Sequence, residues 1–268
     1  MQIFWINLNK LKYDFFLKQL IKLEKQTIVF TPNPEILLKS KNDLKFKWLL
    51  KKADYLTPDG IGLYIAFQIL DNNFPTIINI FLLPYYFFNL FFRRKYLYKK
   101  YWDRICWSDL TKDLVLLSEK KQIKITIIDL YNPNDLKKVK SQTLFPKLIK
   151  QNFPNLHFDY YIYNPDKKEN IIKQISESNS QILFSTLWMK YQEKSIIEIL
   201  AKAKNIKLWL GIWSSFDYFI WFQKRAPKFF RSLWIEWLYR LINWPKKIDR
   251  LKRLYNAIFV FSYECLKK

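Results

Sequence analysis

Short apolar runs of three to seven residues alternate along this chain with longer segments of helical period. That alternation constrains the fold more than any other feature, because it is the pattern of strands separated by crossover helices in an α/β domain. Strands are expected at residues 3–6, 27–30, 55–57, 123–129, 157–163, 181–186 and 206–210. Helices are expected at 12–25, 34–51, 62–70, 109–120, 133–150, 167–177 and 191–204. The expected architecture is a Rossmann-like, mostly parallel sheet flanked by helices, with ligands in the loops beyond the strand carboxyl ends. An α/β domain over 1–222 is followed by a basic, amphipathic helical appendage over 223–268.

A chain of 268 residues can bury a full core, and at 50% hydrophobic and 19% aromatic it is too apolar to be disordered. Its formal charge of +23 attracts polyanions, whether nucleic acid, anionic lipid or a diphosphate-bearing substrate. Nucleic-acid binding would rest on charge alone, so no specific nucleic-acid partner is expected. The two cysteines, Cys106 and Cys265, are far apart and lack metal-ligand spacing, which argues for a reduced compartment and against a thiolate metal site. A single histidine, His157, makes a His-based zinc site or a Ser-His-Asp triad improbable; its alternating surroundings read as a strand position. The N-terminal apolar run is broken by Asn and Lys before a secretory h-region forms, so the chain is expected on the cytoplasmic side.

Two segments depart from the α/β rhythm. Residues 74–92 read FPTIINIFLLPYYFFNLFF and lead into the basic stretch RRKYLYKK. Asn79, Pro84 and Asn89 interrupt a run that has nearly the length of a membrane span. Two readings stay open: an interfacial or re-entrant hairpin with Tyr85 and Tyr86 at the headgroups, or a hydrophobic helical insertion packed on the domain. The second segment is the tail from Gln223, with twelve Lys or Arg against three acids. Phe230, Trp234, Trp237 and Leu241 recur at three- and four-residue steps and form one apolar helix face, a basic amphipathic pattern suited to an anionic membrane surface. The bland alternative is a stripe that docks on the domain while its charges are solvated.

Only three glycines occur, and two of them, Gly60 and Gly62, closely follow Asp59 just after an expected strand. A strand–Pro-Asp-Gly–helix junction places Asp59 at a strand tip beside helix N–H groups, a position suited to a carboxylate poised over a substrate. Pro-Asp-Gly is equally an ordinary turn. The loop after another strand, Thr31-Pro32-Asn33-Pro34-Glu35, offers Thr31 and Asn33 at the same sheet edge, with Asn33 also placed to cap the helix that begins at Pro34.

These residues carry a resemblance. Thr31-Pro32-Asn33-Pro34-Glu35, about two dozen residues before Pro58-Asp59-Gly60-Ile61-Gly62, resembles the paired signature of the WecG/TagA/CpsF glycosyltransferases. Further blocks follow in the family's order. Arg104-Ile105-Cys106-Trp107-Ser108-Asp109-Leu110 is similar to its R-V-x-G-S-D-L, and Lys190-Tyr191-Gln192-Glu193-Lys194 to its P-K-Q-E-K. Lys224-Arg225-Ala226-Pro227-Lys228 and Glu236-Trp237-Leu238-Tyr239-Arg240 resemble its closing K-R-A-P-x and E-W-L-Y-R blocks.

The resemblance implies an inverting glycosyltransferase that moves an N-acetylmannosamine-type sugar from a UDP donor to a polyprenyl-diphosphate-linked acceptor in cell-surface polymer synthesis. It implies Asp59 as catalytic base, with Thr31 beside it, and Asn33, Gly60, Arg104 and Gln192 as substrate-binding residues. Arg225, Arg231 and Arg240 match basic positions that would meet lipid diphosphate or membrane, from a peripheral position on the cytoplasmic face. No cofactor is implied. No two aspartates lie two apart, so the D-x-D that many nucleotide-sugar enzymes use to hold a divalent ion is missing, in keeping with the family's metal independence. A homo-oligomer is compatible with all of this.

Three turns depart from the family. Asp129-Leu130-Tyr131-Asn132-Pro133 stands where it has a glycine-rich turn, Leu187-Trp188-Met189 where it has Gly-Ser, and Trp213-Ser214-Ser215 beside Gly211 where it has a Gly-Gly-like stretch. The alternative to an active transferase is therefore a membrane-associated relative that keeps the scaffold and has lost donor binding.

Overall fold

A computed structural model describes residues 1–101, 103, 105–132, 135–218, 226–227, 229–230, 236–243 and 247–267. Six strands, β3 (Thr27–Phe30), β4 (Tyr55–Leu56), β5 (Ile125–Leu130), β6 (Phe158–Tyr163), β7 (Ile182–Ser185) and β8 (Leu208–Gly211), form one sheet in the order β4-β3-β8-β7-β5-β6, every pair parallel. Each parallel connection carries helix. Helices α2 (Pro34–Asn42) and α3 (Leu44–Leu50) join β3 to β4, and α8 (Leu136–Asn152) joins β5 to β6. Helix α9 (Lys168–Glu177) leads to β7, and α10 (Tyr191–Leu200) leads to β8. The expected α/β architecture is what the chain adopts.

Strand side chains alternate between two cores, as a period of two requires. Ile28, Phe30, Leu183 and Trp209 pack on one face of the sheet with α2, α3, α10 and α4 (Gly62–Asn72). Val29, Ile182, Phe184, Leu208 and Leu210 pack on the other with α1 (Tyr13–Leu20), α8 and α7 (Trp107–Lys120). Burial on both faces explains why β3, β7 and β8 read as unbroken apolar runs.

The differences from expectation are local. The strand expected at 3–6 is a tight hairpin of β1 (Gln2–Ile3) and β2 (Ile6–Asn7), turned by Phe4 and Trp5 at φ 48° and 67°. The first helix stops at Leu20, ahead of Leu23 at φ 54°. The helix expected over 34–51 breaks at Asp43, which is extended and accepts from the Phe46 N–H at 2.9 Å to cap α3. His157 sits just before β6, within 2.9 Å of the Gln122 side chain.

Residues 76–92 form one continuous helix, α5 (Thr76–Phe92), with Pro84 inside it. The chain bends by 98° only at Arg93, where α6 (Arg94–Lys100) begins. No single helix among the described residues is long and apolar enough to cross a membrane, although the bent pair α5–α6 has the length and composition to do so together.

The polarity of α5 is inverted. Its buried residues are Asn79, Tyr86, Asn89 and Leu90. The Tyr86 hydroxyl donates to Asn79 Oδ1 at 2.7 Å and accepts from Asn72 at 2.9 Å, while Asn89 donates to Gln68 at 2.8 Å. Polar groups thus face the domain, and Ile77, Phe81, Phe88 and Phe92 face outward, Phe81 at 79% exposure.

At the C-terminal end, helical segments Lys247–Tyr255, Asn256–Val260 and Phe261–Leu266 follow one another, the middle one wound as a π-helix. They pack against α4 and α2. Tyr255, Phe259 and Tyr263 stay exposed at four-residue steps. Of the apolar face expected over Phe230, Trp234, Trp237 and Leu241, the side chains of Trp234 and Trp237 lie outside the described residues; the Phe230 ring packs 5.3 Å from Tyr239.

Candidate active site

In this sheet the chain leaves β3 toward one edge, at β4, and leaves β5 toward the other, at β6. Ligands in such sheets bind beyond the carboxyl ends of the strands, where the direction reverses. The residues singled out from the sequence and described by the structure lie beyond the carboxyl ends of β3, β4 and β7.

Thr31 follows the last residue of β3 and is fully buried, its hydroxyl without a hydrogen-bond partner among the described residues. Asn33 caps α2: its Oδ1 accepts from the Ile36 N–H at 3.0 Å, and Pro34 supplies the first helical residue. The structural role expected for Asn33 is therefore present.

The β4 tip is fastened to this loop. The Thr57 N–H donates to the Phe30 carbonyl at 3.0 Å, extending the parallel ladder by one rung. Two residues later the Asp59 N–H donates to the Pro32 carbonyl at 3.2 Å. Gly60 adopts φ +100°, and a Cβ there would stand 3.3 Å from Pro34 Cδ and 4.0 Å from Asn33 Cβ. Only glycine takes this turn without strain. Thr31, Asn33, Asp59 and Gly60 thus form one unit of two interlocked loops, with Asp59 half-buried.

Gln192 arrives from the other side. It lies in the first turn of α10, wholly buried, and packs on Gly211 at the end of β8, so closely that a Cβ on Gly211 would meet its Cδ at 2.6 Å. Its Nε2 donates to Glu193 at 2.8 Å, and its Oε1 has no partner among the described residues. Glu193 also accepts from the Lys190 N–H at 2.6 Å. Burial pushes the Glu193 carboxyl up to about 7, against the partial opposition of these hydrogen bonds.

Unpartnered buried polar atoms gather at these tips. Besides Thr31 and Gln192, they include the hydroxyls of Thr57 and Ser185 and the Trp213 indole N–H. A buried donor or acceptor left unmade costs about 1–3 kcal/mol, so a polar ligand that reached these atoms would gain by pairing them; others, Thr111, Thr126 and Trp209 among them, lie elsewhere in the core.

Backbone strain marks the same region. Lys190 and Trp213 are non-glycine residues at φ 73° and 50°. Trp213 stands in the stretch beside Gly211 where the resembled family has glycines, and it keeps a backbone that glycine would adopt freely. Asp129, at the third departing turn, accepts from Thr186 at 2.7 Å and from Tyr160 at 3.0 Å, tying the tips of β5, β6 and β7 together.

Glu193, Lys190 and Trp213 are additions to the sequence reading. Glu193 stood within the Lys190–Lys194 block, but its burial has no signature in a polar pentapeptide. Arg104, Arg225 and Arg231 lie outside the described residues, as does the side chain of Arg240 in the helix Glu236–Asn243. Among the described residues no group of three His, Cys, Asp or Glu side chains could hold a metal ion.

The C-terminal helix closes on the interlocked loops at two points. Arg253 makes a two-pronged pair with Glu35, at 2.8 and 2.7 Å. Gly62 lies so close to the π-helical turn that a Cβ on it would be 2.4 Å from the Ala257 carbonyl oxygen. Lys41 also pairs with Glu264, on α2 and the C-terminal helix respectively.

An all-parallel sheet with helices on both faces is an α/β fold of the kind that takes its ligands across the carboxyl ends of the strands, where the half-buried Asp59 stands. The family model described as "Glycosyl transferase WecG/TagA/CpsF family" matches residues 1–91 and 89–268, and the chain belongs to that glycosyltransferase family. Over 273 residues it is 26% identical to the "N-acetylglucosaminyldiphosphoundecaprenol N-acetyl-beta-D-mannosaminyltransferase" of Bacillus subtilis, covering 98% of this chain and 91% of that protein. The protein of the same name from Bacillus spizizenii is 25% identical over 232 residues, 85% of this chain and 75% of the relative. One from Staphylococcus aureus is 33% identical over 121 residues, 44% and 45% of the two chains.

Proposed function

We propose that this glycosyltransferase moves an N-acetylmannosamine-type sugar from a UDP donor to a sugar carried on polyprenyl diphosphate, as a step in cell-surface polymer synthesis. The observation that supports the reading is the fastening of the Asp59 backbone to Pro32, which ties the loop that carries this carboxylate to the loop that begins with the buried Thr31, beyond the carboxyl ends of β3 and β4. The names of the relatives supply the acceptor class and the transferred sugar.

Asp59 takes the proton of the acceptor hydroxyl as its oxygen attacks the anomeric carbon. The bond from that carbon to the UDP oxygen breaks, its electron pair leaves with UDP, and the configuration inverts. A carboxylate is a weak base for an alcohol, so its rate contribution, about 10²–10⁴-fold for positioned general bases, depends on the held geometry. Thr31 and Gln192 supply unpartnered polar atoms to the sugars or the nucleotide, and Gly60 lets the backbone approach. Arg104 is assigned to the diphosphate, whose developing charge is met by arginine donors without a metal. Arg225, Arg231 and Arg240, in an appendage over 223–268, meet lipid diphosphate or anionic headgroups. The outward apolar face of α5 supports a peripheral position on a membrane, which the proposal puts on its cytoplasmic face.

A second reading, a membrane-associated relative that keeps the scaffold and has lost donor binding, is motivated by the bulky residues where the resembled family has glycine, Trp213 at φ 50° among them. Two measurements decide. A mass-spectrometric screen of UDP-sugars against a short-chain prenyl-diphosphate acceptor should show mass transfer from one donor. Calorimetry should show UDP binding; no detectable UDP binding, together with no transfer from any donor, supports the second reading.

A further inference from the structure

An apolar groove of about 790 Å³ runs between α5 and the C-terminal helix, within the size range of clefts that take small-molecule ligands. Phe87 and Phe91 form one wall; Leu251, Tyr255, Ile258 and Phe259 form most of the other, with Lys252 beside them. Three observations bear on its occupant. The groove opens beside the inverted face of α5, where Phe81 and Phe92 are among the most exposed apolar side chains described. Its far wall is continuous with the catalytic loop, because Asn256 lines the groove and the next residue, Ala257, rests its carbonyl on Gly62, three residues after Asp59. Among the described residues, Lys252 is the one charged residue in a mostly apolar lining that also holds Asn256, as suits a hydrocarbon chain that ends in phosphate.

We infer that this groove receives the polyprenyl chain of the lipid-linked acceptor, entering from the bilayer and directing its diphosphate-borne sugar toward Asp59. The inference rests on the proposed acceptor class and adds where its hydrocarbon lies. An apolar chain here covers surface that water would otherwise wet, so its affinity grows with chain length until the groove is filled.

The test uses the full chain in detergent with two acceptors, one on undecaprenyl diphosphate and one on a single-isoprene diphosphate. Phe91→Asp and Leu251→Asp place a charge in the groove, at side chains exposed enough to leave the fold intact. Each should raise KM for the long acceptor at least tenfold and leave KM for the short one unchanged. Phe15→Asp, at an exposed apolar side chain on α1 outside the groove and the α5 face, should change neither. Equal losses on both acceptors, or no loss on either, would overturn the groove assignment.

A benzophenone-tagged polyprenyl phosphate keeps this separate from the catalytic reading, since it needs no turnover. Cross-links within 251–259 are expected even from an enzyme that transfers nothing. Cross-links only elsewhere, or equal competition by an anionic phospholipid, would overturn a prenyl-specific groove.

Discussion

The backbone N–H of Asp59 donates to the carbonyl of Pro32 across 3.2 Å, which ties together the loops at the tips of two neighbouring strands. The bond holds the carboxylate loop against the loop that begins with Thr31. A carboxylate so placed does not have to be ordered when substrate arrives, which is the usual route by which a weak base becomes effective.

Gly60 is the most sensitive backbone position in that unit. Its φ of +100° is strained for any residue with a Cβ, and a methyl group would press on Pro34 Cδ at 3.3 Å. Gly60→Ala should cost about 1 kcal/mol or more of stability and shift the Asp59 loop, lowering kcat/KM by more than tenfold. Denaturant unfolding and steady-state kinetics measure the two effects; wild-type values for both would show that the turn tolerates a side chain.

Gln192 is set by Gly211. A Cβ on Gly211 would press on the Gln192 amide at 2.6–2.9 Å, so Gly211→Ala should displace that amide and weaken substrate binding much as Gln192→Ala does. Because both changes act on one contact, the double variant should lose little more than the worse single variant. Fully additive losses in a double-mutant cycle would separate the two residues.

The Glu193 carboxyl, held up to about 7 by burial, links stability to pH. Its ordinary value is 4.5, so the unfolded chain releases this proton first as pH rises and the folded chain releases it last. The stabilisation is complete below 4.5 and is lost as pH rises through about 7, by a total on the order of 3 kcal/mol. Glu193→Gln should flatten that slope. Thermal melts of the two proteins from pH 4.5 to 8 check it, and parallel slopes would remove the linkage.

Much of this architecture is legible in the sequence because it rests on periodicity. Strands buried on both faces are continuous apolar runs, and β3 is expected and observed over the same four residues. What periodicity cannot show is where a polar side chain breaks it. Asp43 splits one expected helix by capping the next, and Phe4 and Trp5 turn a strand into a hairpin through positive φ values that neither residue type announces. In α5 the same composition suits a hairpin or a helix. Only three-dimensional placement shows that Asn79 and Asn89 point into the domain while the phenylalanines point out. At the site, glycine scarcity led directly to Asp59, whereas burial of Glu193 depends on neighbours distant in sequence.

Gly62 couples the tail to the site. Gly62→Ala must push the Ala257 carbonyl away from a 2.4 Å approach, loosening the C-terminal helix from α4. Hydrogen exchange over 256–266 should accelerate while the sheet strands stay protected. Arg253→Ala, which removes an exposed ion pair worth at most about 1 kcal/mol, should change exchange far less. Identical exchange in Gly62→Ala and wild type would contradict the contact.

The assignment of Asp59 is tested most directly by Asp59→Asn, which keeps shape and removes the base. Turnover of a prenyl-diphosphate acceptor with the active UDP-sugar should fall by about 10²–10⁴-fold, with an unchanged melting profile and retained UDP binding. Turnover equal to wild type would contradict Asp59 as the group that takes the acceptor's proton.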